Sequence, residues 1–307
     1  MSRGHSERNE ESSAPVRWAV GCAPILWNND DLPKSTPPVP WEQVLDEMAS
    51  AGYEGTELGD GAPDDAAAIR EQTARRGLKV IGAFVPLDLL SKQPDREVER
   101  AARTARFLKD CGAGLLIAAA AATPERLALV GRASGNASGL GDGDWRRAAA
   151  CLDRAAEACL GEGVRLVLHN HAGTYVETPS EVAEVCSRTD ATLVKLCLDV
   201  GHYLVGGGDP VQAVREYGDR LAHVHLKDVD PGVLDRLRAG EGGWLDALRW
   251  RVFCELGEGC LDVAGVVEGL RRASYRGWVV LEQDTTFLPP LESAVRARTA
   301  FRRIAGY

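Results

Sequence analysis

Short apolar runs alternate with longer amphipathic runs along most of the chain. The apolar runs predict eight strands, and the last four are nearly continuous in apolar character, which is typical of parallel strands covered on both faces. The predicted strands cover residues 17–25, 55–58, 79–84, 114–119, 165–169, 194–199, 222–227 and 278–283. The amphipathic runs predict helices at residues 41–51, 64–76, 96–110, 145–160, 180–186, 210–217, 263–273 and 291–304.

Eight strands that alternate with eight helices predict a single (β/α)8 TIM barrel over residues 16–307. A doubly wound open sheet is the alternative, but no GxGxxG motif follows the first strand. Two segments, residues 120–144 and 229–259, exceed the usual length of loops after barrel strands, and the second contains a helical run at 244–252. Because both follow strands, we expect both to lie on the catalytic rim as lids.

The composition narrows the class of protein. The 307 residues include 36 Lys and Arg against 45 Asp and Glu, and the net charge of −9 argues against nucleic acid or an anionic membrane as the main partner. No apolar run approaches the roughly 18–20 residues of a membrane span. Residues 1–15 are polar and predict a disordered tail rather than a signal peptide. The eight cysteines form no CxxC pair, which favours reduced thiols in a cytoplasmic protein.

Histidines gather at the ends of the predicted strands. The carboxyl ends of barrel strands meet at one site, and five of the six histidines lie at such ends. Packing alone is a poor explanation for this clustering of histidines. Residues two apart share a face of a strand, and His225 lies nearer the carboxyl end than His223, so His225 is favoured as a site residue. The five are His169, His171, His202, His223 and His225.

Two carboxylates end predicted strands in the same region. Asp199 follows the run Leu-Cys-Leu, and Glu282 follows Val-Val-Leu. A buried carboxylate is unfavourable unless it is paired or bound to a metal. Asp199, His225 and Glu282 therefore offer mixed oxygen and nitrogen ligands for a divalent ion such as Mn²⁺, Co²⁺, Mg²⁺ or Zn²⁺. Structural salt bridges are the alternative for these three residues.

The first two strands contribute further candidates for substrate binding. Asn28, Asn29 and Asp30 follow the first strand and carry groups that bind polyol hydroxyls. Trp27 offers an apolar platform for the face of a sugar or cyclitol ring, although packing at the rim explains it equally well. Glu57, within the run Gly-Thr-Glu-Leu-Gly, is expected to be a site carboxylate, with an ion pair inside the barrel as the alternative.

Several motifs resemble one superfamily. LDVGH at 198–202, HVHLKD at 223–228, GEGCLD at 257–262 and GWVVLEQD at 277–284 are similar to the xylose-isomerase-like sugar isomerases and epimerases. Each motif alone is a modest signal, but their order and spacing together are specific. GCAPILWNNDD at 21–31, AGYEGTELG at 51–59 and HNHAGT at 169–174 narrow the resemblance to the inosose dehydratases, and it runs over residues 16–290.

The resemblance implies a divalent metal, foremost Mn²⁺ or Co²⁺, held by Glu, Asp, His and Glu from strands five to eight. The fifth strand departs from this pattern, because His169 stands where the superfamily has Glu. The fourth ligand therefore stays open among His169, His171 and Glu177, and Glu177 has the alternative of a surface residue ahead of a helix. The other three ligand positions are occupied by Asp199, His225 and Glu282.

The resemblance also implies a hydro-lyase that removes a proton next to a ketone and expels the β-hydroxyl as water. The expected substrate is a keto-cyclitol, foremost 2-keto-myo-inositol (scyllo-inosose). His171 or Lys227 is expected to be the base and the other the acid, with the Lys227 pKa lowered by a nearby cation. An ion pair of Lys227 with Asp228 or Glu57 is the alternative. His202 is expected to bind substrate hydroxyls or to support the site.

A second hypothesis is a metal-dependent keto-sugar isomerase or epimerase on the same barrel. Those enzymes move protons with two Glu residues on opposite faces of the substrate, and His169 on the fifth strand argues against this. A nucleic-acid enzyme would need more metal ligands and a basic groove, which a net charge of −9 disfavours. The expected partner is therefore a small molecule. The oligomeric state stays open, with a homo-oligomer included.

Overall fold

The computed structural model of the protein describes residues 17–29, 31–32, 37–133 and 139–307. Its strands are β1 Val20–Cys22, β2 Gly55–Leu58, β3 Lys79–Leu87, β4 Leu115–Ala120, β5 Arg165–His169, β6 Lys195–Asp199, β7 Leu221–Leu226, β8 Asp228–Val229, β9 Phe253–Cys254 and β10 Trp278–Leu281. Eight of them close into a parallel barrel, with β10 between β7 and β1, while β8 and β9 form a separate antiparallel pair. The prediction of a (β/α)8 barrel is confirmed.

Helices cover the outside of the barrel and parts of its rim. Several begin where the sequence supplies a cap: Thr178 and Glu181 form a capping box at the start of α6, and Asp209 accepts hydrogen bonds from two backbone N–H groups of α8. The helices are α1 Trp41–Ser50, α2 Ala66–Ala74, α3 Pro94–Asp110, α4 Pro124–Leu127, α5 Asp142–Gly161, α6 Pro179–Arg188, α7 Val200–Val205, α8 Pro210–Tyr217, α9 Pro231–Ala239, α10 Trp244–Arg249, α11 Val263–Arg272 and α12 Pro290–Ala305.

The predicted elements match the observed ones apart from their ends and a few short pieces. β5 and α8 have the predicted bounds. β1 is shorter than expected because the chain turns into a 3-10 helix, Pro24–Leu26, directly after it. The helices α4, α7 and α9 were not predicted, since each has nine residues or fewer and a helical period is hard to recognise over that length.

Apolar side chains fill the barrel below its polar rim. Two small clusters of buried residues lie in the interior of the barrel, and a much larger core lies between the strands and the surrounding helices. The polar residues that end the strands therefore lie above an apolar floor. The two interior clusters are formed by Ala23, Ile81 and Val280, and by Ile117, Val167 and Cys197.

A bulge in β3 changes which of its side chains face the interior. The register of β2 against β3 shifts by one residue between Thr56 and Leu58. Ile81 belongs to an interior cluster ahead of the shift, whereas Ala83 packs against the outer core beyond it. Phe84 then faces the cavity at the carboxyl end of the barrel. The extra residue of the bulge thus reverses the alternation of side chains along the rest of the strand.

The segment at residues 229–259 is folded and anchored. It contains α9, α10 and β9 and has its own apolar cluster, which includes Leu234, Trp244 and Phe253. The carboxylate of Asp228 accepts hydrogen bonds from the backbone N–H groups of Gly257, Gly259 and Leu261 at distances of 2.8–3.0 Å. These contacts fix the end of the segment against the residue that follows Lys227.

The remaining expectations of the sequence concern the tail, the other rim segment, membranes and cysteines. The predicted tail at residues 1–15 lies outside the described residues, as do residues 134–138 of the segment 120–144. Within the described part of the chain, no helix is long and apolar enough to cross a membrane. All eight cysteines are free thiols, and Cys260 is the exposed one.

Candidate active site

The carboxyl ends of the barrel strands surround a cavity of about 320 Å³. Its wall is polar on the side of β5 to β10 and largely apolar near β1 and β3. A cavity of this size lies within the usual range for small-molecule sites. The polar lining includes Glu57, His169, His171, His202, His225, Lys227, Glu282 and Asp284, and the apolar lining includes Ile25, Phe84 and Pro86.

Four side chains from neighbouring strands converge beside this cavity. His169 ends β5, Asp199 ends β6, His225 lies near the end of β7, and Glu282 follows β10. One ligand atom of each lies within 4.8 Å of the other three. The His169 Nε2 and Asp199 Oδ2 atoms are 3.4 Å apart, and the His225 Nδ1 and Glu282 Oε2 atoms are 2.6 Å apart.

Besides His169 Nδ1, three atoms of this cluster are buried and make no hydrogen bond of acceptable geometry: Asp199 Oδ2, His225 Nδ1 and Glu282 Oε2, although the last two lie only 2.6 Å apart. A buried polar atom left unsatisfied is unfavourable by about 1–3 kcal/mol, and more when it is charged. A cation among the three would satisfy all of them at once. Two imidazole and two carboxylate donors are also a ligand set that divalent transition ions accept. The residues present therefore fit a divalent metal ion.

The charges of the cluster also favour a cation. Burial raises the pKa of Glu282, but Lys227 and His225 outweigh it and lower that pKa to about 2. The pKa of Asp199 is likewise held well below its usual value, because Lys227 and the neighbouring histidines outweigh burial. Both carboxylates are therefore ionised near neutral pH. Burial lowers the pKa of His169 to about 4, so its ring is neutral and keeps a lone pair for an ion.

The three candidates for the ligand from strand five lie in different surroundings. His169 belongs to the four-residue cluster. The His171 Nδ1 atom lies 2.8 Å from the backbone oxygen of its neighbour Ala172. Glu177 is fully buried, and its carboxylate accepts hydrogen bonds from the backbone N–H groups of Gly131 and Gly173. Glu177 therefore holds two loops together and is not a surface residue.

Lys227 has a partner that the sequence did not indicate. Its Nζ atom lies 2.7 Å from Asp284 Oδ1 and 3.5 Å from both Asp199 Oδ2 and Glu282 Oε2. Lys227 thus forms an ion pair, as the alternative interpretation held, but with Asp284 rather than with Asp228 or Glu57. Burial lowers the pKa of Lys227, but the three carboxylates near Nζ outweigh it and raise that pKa, contrary to the expected lowering. Burial raises the pKa of Asp284 to about 7.

His171 and His202 stack beside Lys227 with their ring centroids 4.0 Å apart. A backbone oxygen can only accept, so the contact of His171 Nδ1 with the Ala172 oxygen requires a proton on Nδ1 and leaves the lone pair on Nε2. The backbone N–H of Ala172 donates to His202 Nδ1 at 3.1 Å, so the proton of the neutral His202 ring is on Nε2. That Nε2 atom lies 3.5 Å from Lys227 Nζ, and because both groups then carry protons this contact is not a hydrogen bond. The pair thus offers one acceptor and one donor.

Glu57 lies deep in the cavity wall, between two histidines of β7. Its Oε1 atom is 2.7 Å from His223 Nε2 and 2.9 Å from His225 Nε2. Burial raises the pKa of Glu57, but the two histidines outweigh it and lower that pKa below its usual value. Burial lowers the pKa of His225, but Cys197, Glu57 and Glu282 raise it well above its usual value. Of these groups, Glu282 also belongs to the four-residue cluster beside the cavity.

Trp27 does not form the expected substrate platform. Trp27 is buried in the core outside the barrel, and its Nε1–H donates to Glu47 Oε2 at 2.6 Å. The 3-10 turn after β1 directs it away from the cavity. Asn29 donates from Nδ2 to the backbone oxygen of Asp284 at 2.6 Å and accepts from the backbone N–H of Asp31, so it links two loops. Asp30 lies outside the described residues.

Two residues of the cavity were missed by sequence reasoning. Phe84 is 42% exposed although it is large and apolar, and its ring lies 5.6 Å from the His169 ring and 5.7 Å from the His171 ring. Only the bulge in β3 turns it inward, and Gly82 inside the apolar run was the available signal for that bulge. Asp284 ends the motif GWVVLEQD, so its place two residues after Glu282 was the available signal.

Comparison with known proteins agrees with this fold. A family model described as "Xylose isomerase-like TIM barrel" matches residues 45–304. The chain therefore belongs to the xylose isomerase-like TIM barrel family. It is 30% identical to an inosose dehydratase of Bacillus thuringiensis over 94% of this chain and 97% of that protein, and 32% identical to one of Lacticaseibacillus casei over 91% and 94%. Within the family it lies in the inosose dehydratase branch, which confirms the resemblance seen in the motifs.

Solved structures show the same barrel at lower identity. L-ribulose 3-epimerase matches with a TM-score of 0.72 and 18% identity over 94% of this chain and 95% of that one. The IOLI protein with a bound zinc atom matches at 0.71 and 13% over 94% and 98%. The probable 3-DHS dehydratase AsbF of Bacillus anthracis matches at 0.69 and 15% over 92% and 98%. At these identities the matches show the fold alone.

Proposed function

We propose that the protein is a metal-dependent hydro-lyase that dehydrates a keto-cyclitol, foremost 2-keto-myo-inositol. One observation carries this proposal: a histidine, His169, ends β5 beside the cluster, where an epimerase would need one of its two glutamates. The similarity to inosose dehydratases over more than nine-tenths of the chain supports the same reaction. The cavity of about 320 Å³ has room for one six-membered ring with its hydroxyl groups.

The proposed ion is Mn²⁺ or Co²⁺, with Mg²⁺ or Zn²⁺ as alternatives, held by His169, Asp199, His225 and Glu282. When bound, the ion supplies Lewis acidity toward the ketone of the substrate. The mixed nitrogen and oxygen donors favour the transition ions over Mg²⁺, because Mg²⁺ prefers an all-oxygen set.

The chain's own side chains divide the proton transfers between them. His171 is proposed as the base that takes the α-proton, because its Nε2 keeps a lone pair toward the cavity. Lys227 is proposed as the acid that protonates the departing β-hydroxyl as water, because three carboxylates surround its ammonium and keep it protonated. His202 is proposed to donate from Nε2 to a substrate hydroxyl. Phe84 takes the role expected of Trp27 and packs against the C–H face of the ring.

The test is turnover of scyllo-inosose by protein that has been stripped of metal and reconstituted with Mn²⁺ or Co²⁺. The dione product is expected to appear by its ultraviolet absorbance, and a chelator should abolish the signal. Isomerisation of a ketohexose without any dione would instead identify the isomerase or epimerase. Full activity in chelator would contradict the role of the metal.

Two substitutions test the proposed acid and base separately. His171→Gln and Lys227→Met should each lower kcat by roughly 10²- to 10⁴-fold. Both variants should retain their metal, since neither residue belongs to the proposed ligand set. Metal content by atomic emission and kcat are measured on the same samples. Near-normal kcat in either variant would remove that residue from the mechanism.

A further inference from the structure

Glu57 lines the cavity, yet its contacts point toward the ion site rather than toward a substrate. We propose that Glu57 is a positioning residue, whose carboxylate orients the His225 ring so that Nδ1 faces the ion. This inference rests on the ion site of the proposed function. It replaces the expectation that Glu57 binds substrate directly.

The argument begins with the two nitrogens of His225. Its Nδ1 lies 2.6 Å from Glu282 Oε2 and 3.8 Å from Asp199 Oδ2, and its Nε2 lies 2.9 Å from Glu57 Oε1. An imidazole can bind an ion through Nδ1 only if that atom is free of a proton, and the ring then carries its proton on Nε2. The Nε2–H group needs a buried acceptor, since His225 is only 2% exposed. Glu57 Oε1 is that acceptor.

A carboxylate in this position does two things for a metal-bound histidine. It fixes the tautomer and the orientation of the ring, and it makes the ligating nitrogen more basic. The ion itself need not touch Glu57, which lies on the far side of the imidazole. The loss of such an outer carboxylate typically weakens metal binding by about 10- to 100-fold.

His223 explains why Glu57 stays in place. Its Nε2 lies 2.7 Å from the same Oε1 atom, and its ring packs edge-on against His225 at 5.0 Å between centroids. His223 is fully buried and lies one layer deeper in the barrel. Two N–H donors therefore hold one carboxylate oxygen, with the ion-binding histidine above and the supporting histidine below. The spacing His-x-His on one strand produces this arrangement, because residues two apart share a face.

Two other roles for Glu57 are weaker. Glu57, His223 and His225 also bring ligand atoms within 4.8 Å of one another, as a second ion site would. However, the nitrogen-to-oxygen distances of 2.7 and 2.9 Å are those of hydrogen bonds. A substrate-binding role would leave unexplained why Oε1 accepts from two buried histidines, and the KM values below test that role.

The test compares Glu57→Ala and Glu57→Gln with the wild type in the full-length, metal-free protein titrated with Co²⁺. Glu57→Ala should weaken Co²⁺ binding by about 10- to 100-fold and alter the visible spectrum of bound Co²⁺. Glu57→Gln keeps an oxygen acceptor and should recover part of the affinity. At saturating Co²⁺, the KM for scyllo-inosose should change less than twofold for Glu57→Gln.

Glu255→Gln provides the matched control. Glu255 is also buried, at 2% exposed, and its carboxylate accepts from Arg251 and Thr286 away from the cluster. This variant should bind Co²⁺ like the wild type. If Glu57→Ala fails to fold, His223→Gln tests the same support, and it should weaken Co²⁺ binding by a smaller factor than Glu57→Ala is expected to.

Three results would overturn the inference. Unchanged Co²⁺ affinity and spectrum in both Glu57 variants would remove the positioning role. A raised KM with unchanged Co²⁺ affinity would return Glu57 to substrate binding. Two equivalents of Co²⁺ in the wild type and one in Glu57→Ala would identify a second ion site. Asp199→Asn separates the premise from the inference: if it binds Co²⁺ normally, the ion site of the proposed function is wrong, whatever Glu57 does.

Discussion

At the scale of single residues, the backbone of one residue, Ala172, decides the chemistry of two histidines. The carbonyl of Ala172 accepts from His171 Nδ1, while the N–H of Ala172 donates to His202 Nδ1. The same side-chain type therefore presents a lone pair from His171 and a proton from His202 to one cavity. No charged neighbour is needed for this difference, because the two faces of the backbone already have opposite polarity.

Phe84 is the residue for which we predict the clearest effect on substrate affinity. Phe84→Ala should raise the KM for the cyclitol by roughly tenfold, because an apolar contact in a pocket of this kind is worth about 1–3 kcal/mol. Phe84→Leu should recover most of that loss. Steady-state kinetics at saturating metal measure both.

Phe287→Ala is the matched control for Phe84→Ala. Phe287 is 74% exposed and lies over Arg251, outside the lining of the cavity. Its removal should leave KM unchanged. Equal KM values for Phe84→Ala and wild type would show that the ring of the substrate does not rest on Phe84.

The sequence identified most of the polar cluster at this scale and missed what depends on geometry across strands. Asp199, His225 and Glu282 were recognisable because a carboxylate or histidine at the end of an apolar run is unusual. The partner of Lys227 was not recognisable, because Asp284 follows a different strand. Asp228 is the neighbour of Lys227 in the sequence, but Asp284 is the carboxylate that contacts its ammonium. Trp27 was misread because the turn that follows β1 rotates it outward.

At the scale of elements, β3 departs most from what its sequence indicates. A regular strand would alternate from Ile81 to Ala83 and leave Phe84 outside. The register shift against β2 reverses this order, and Gly82 lies at the shift. A β-carbon on Gly82 would lie 2.5 Å from the backbone oxygen of Leu115 on β4. Glycine is therefore required where β3 approaches β4.

Gly82→Ala should lower the free energy of unfolding by about 1–3 kcal/mol, the usual effect of overpacking a tight contact. The KM for the cyclitol should rise as well, because a displaced β3 moves Phe84. Urea denaturation measures the first effect, and the KM for the cyclitol measures the second.

Gly114→Ala is the control for this element. Gly114 lies just before β4, and an added β-carbon would meet no atom within 4 Å. The urea unfolding midpoint of Gly114→Ala should match that of the wild type. If Gly82→Ala also matched the wild type, the close approach of β3 to β4 would not constrain the strand.

At the scale of the whole molecule, the cysteines differ in burial: six are buried, Cys186 is partly buried and Cys260 is exposed. Most of the thiols are buried, and burial raises the pKa of Cys254 and Cys159 to about 12. Cys260 is exposed, and its pKa is raised above 9.0, mainly by partial burial. In the native protein, Cys260 should therefore react with alkylating reagents faster than the other cysteines.

Iodoacetamide should label Cys260 first in the native protein and the buried thiols only after unfolding. Because the Cys260 pKa is raised above its usual value, the thiolate fraction and the labelling rate should keep rising from pH 7 to pH 9, without a plateau. Mass spectrometry of tryptic peptides locates the label. Cys260→Ser should lose the fast phase, and rapid labelling of Cys254 in the native state would contradict the packing of the rim.

The link from Asp228 to the turn at residues 257–261 has a consequence for the kinetics of the enzyme. The carboxylate of Asp228, immediately before the segment 229–259, holds the turn at the end of the segment through three hydrogen bonds. The rest of the segment packs on a buried apolar cluster. We therefore expect that opening this half of the rim would require local unfolding of that cluster, and that the backbone that carries Lys227 keeps its position while substrate enters and leaves.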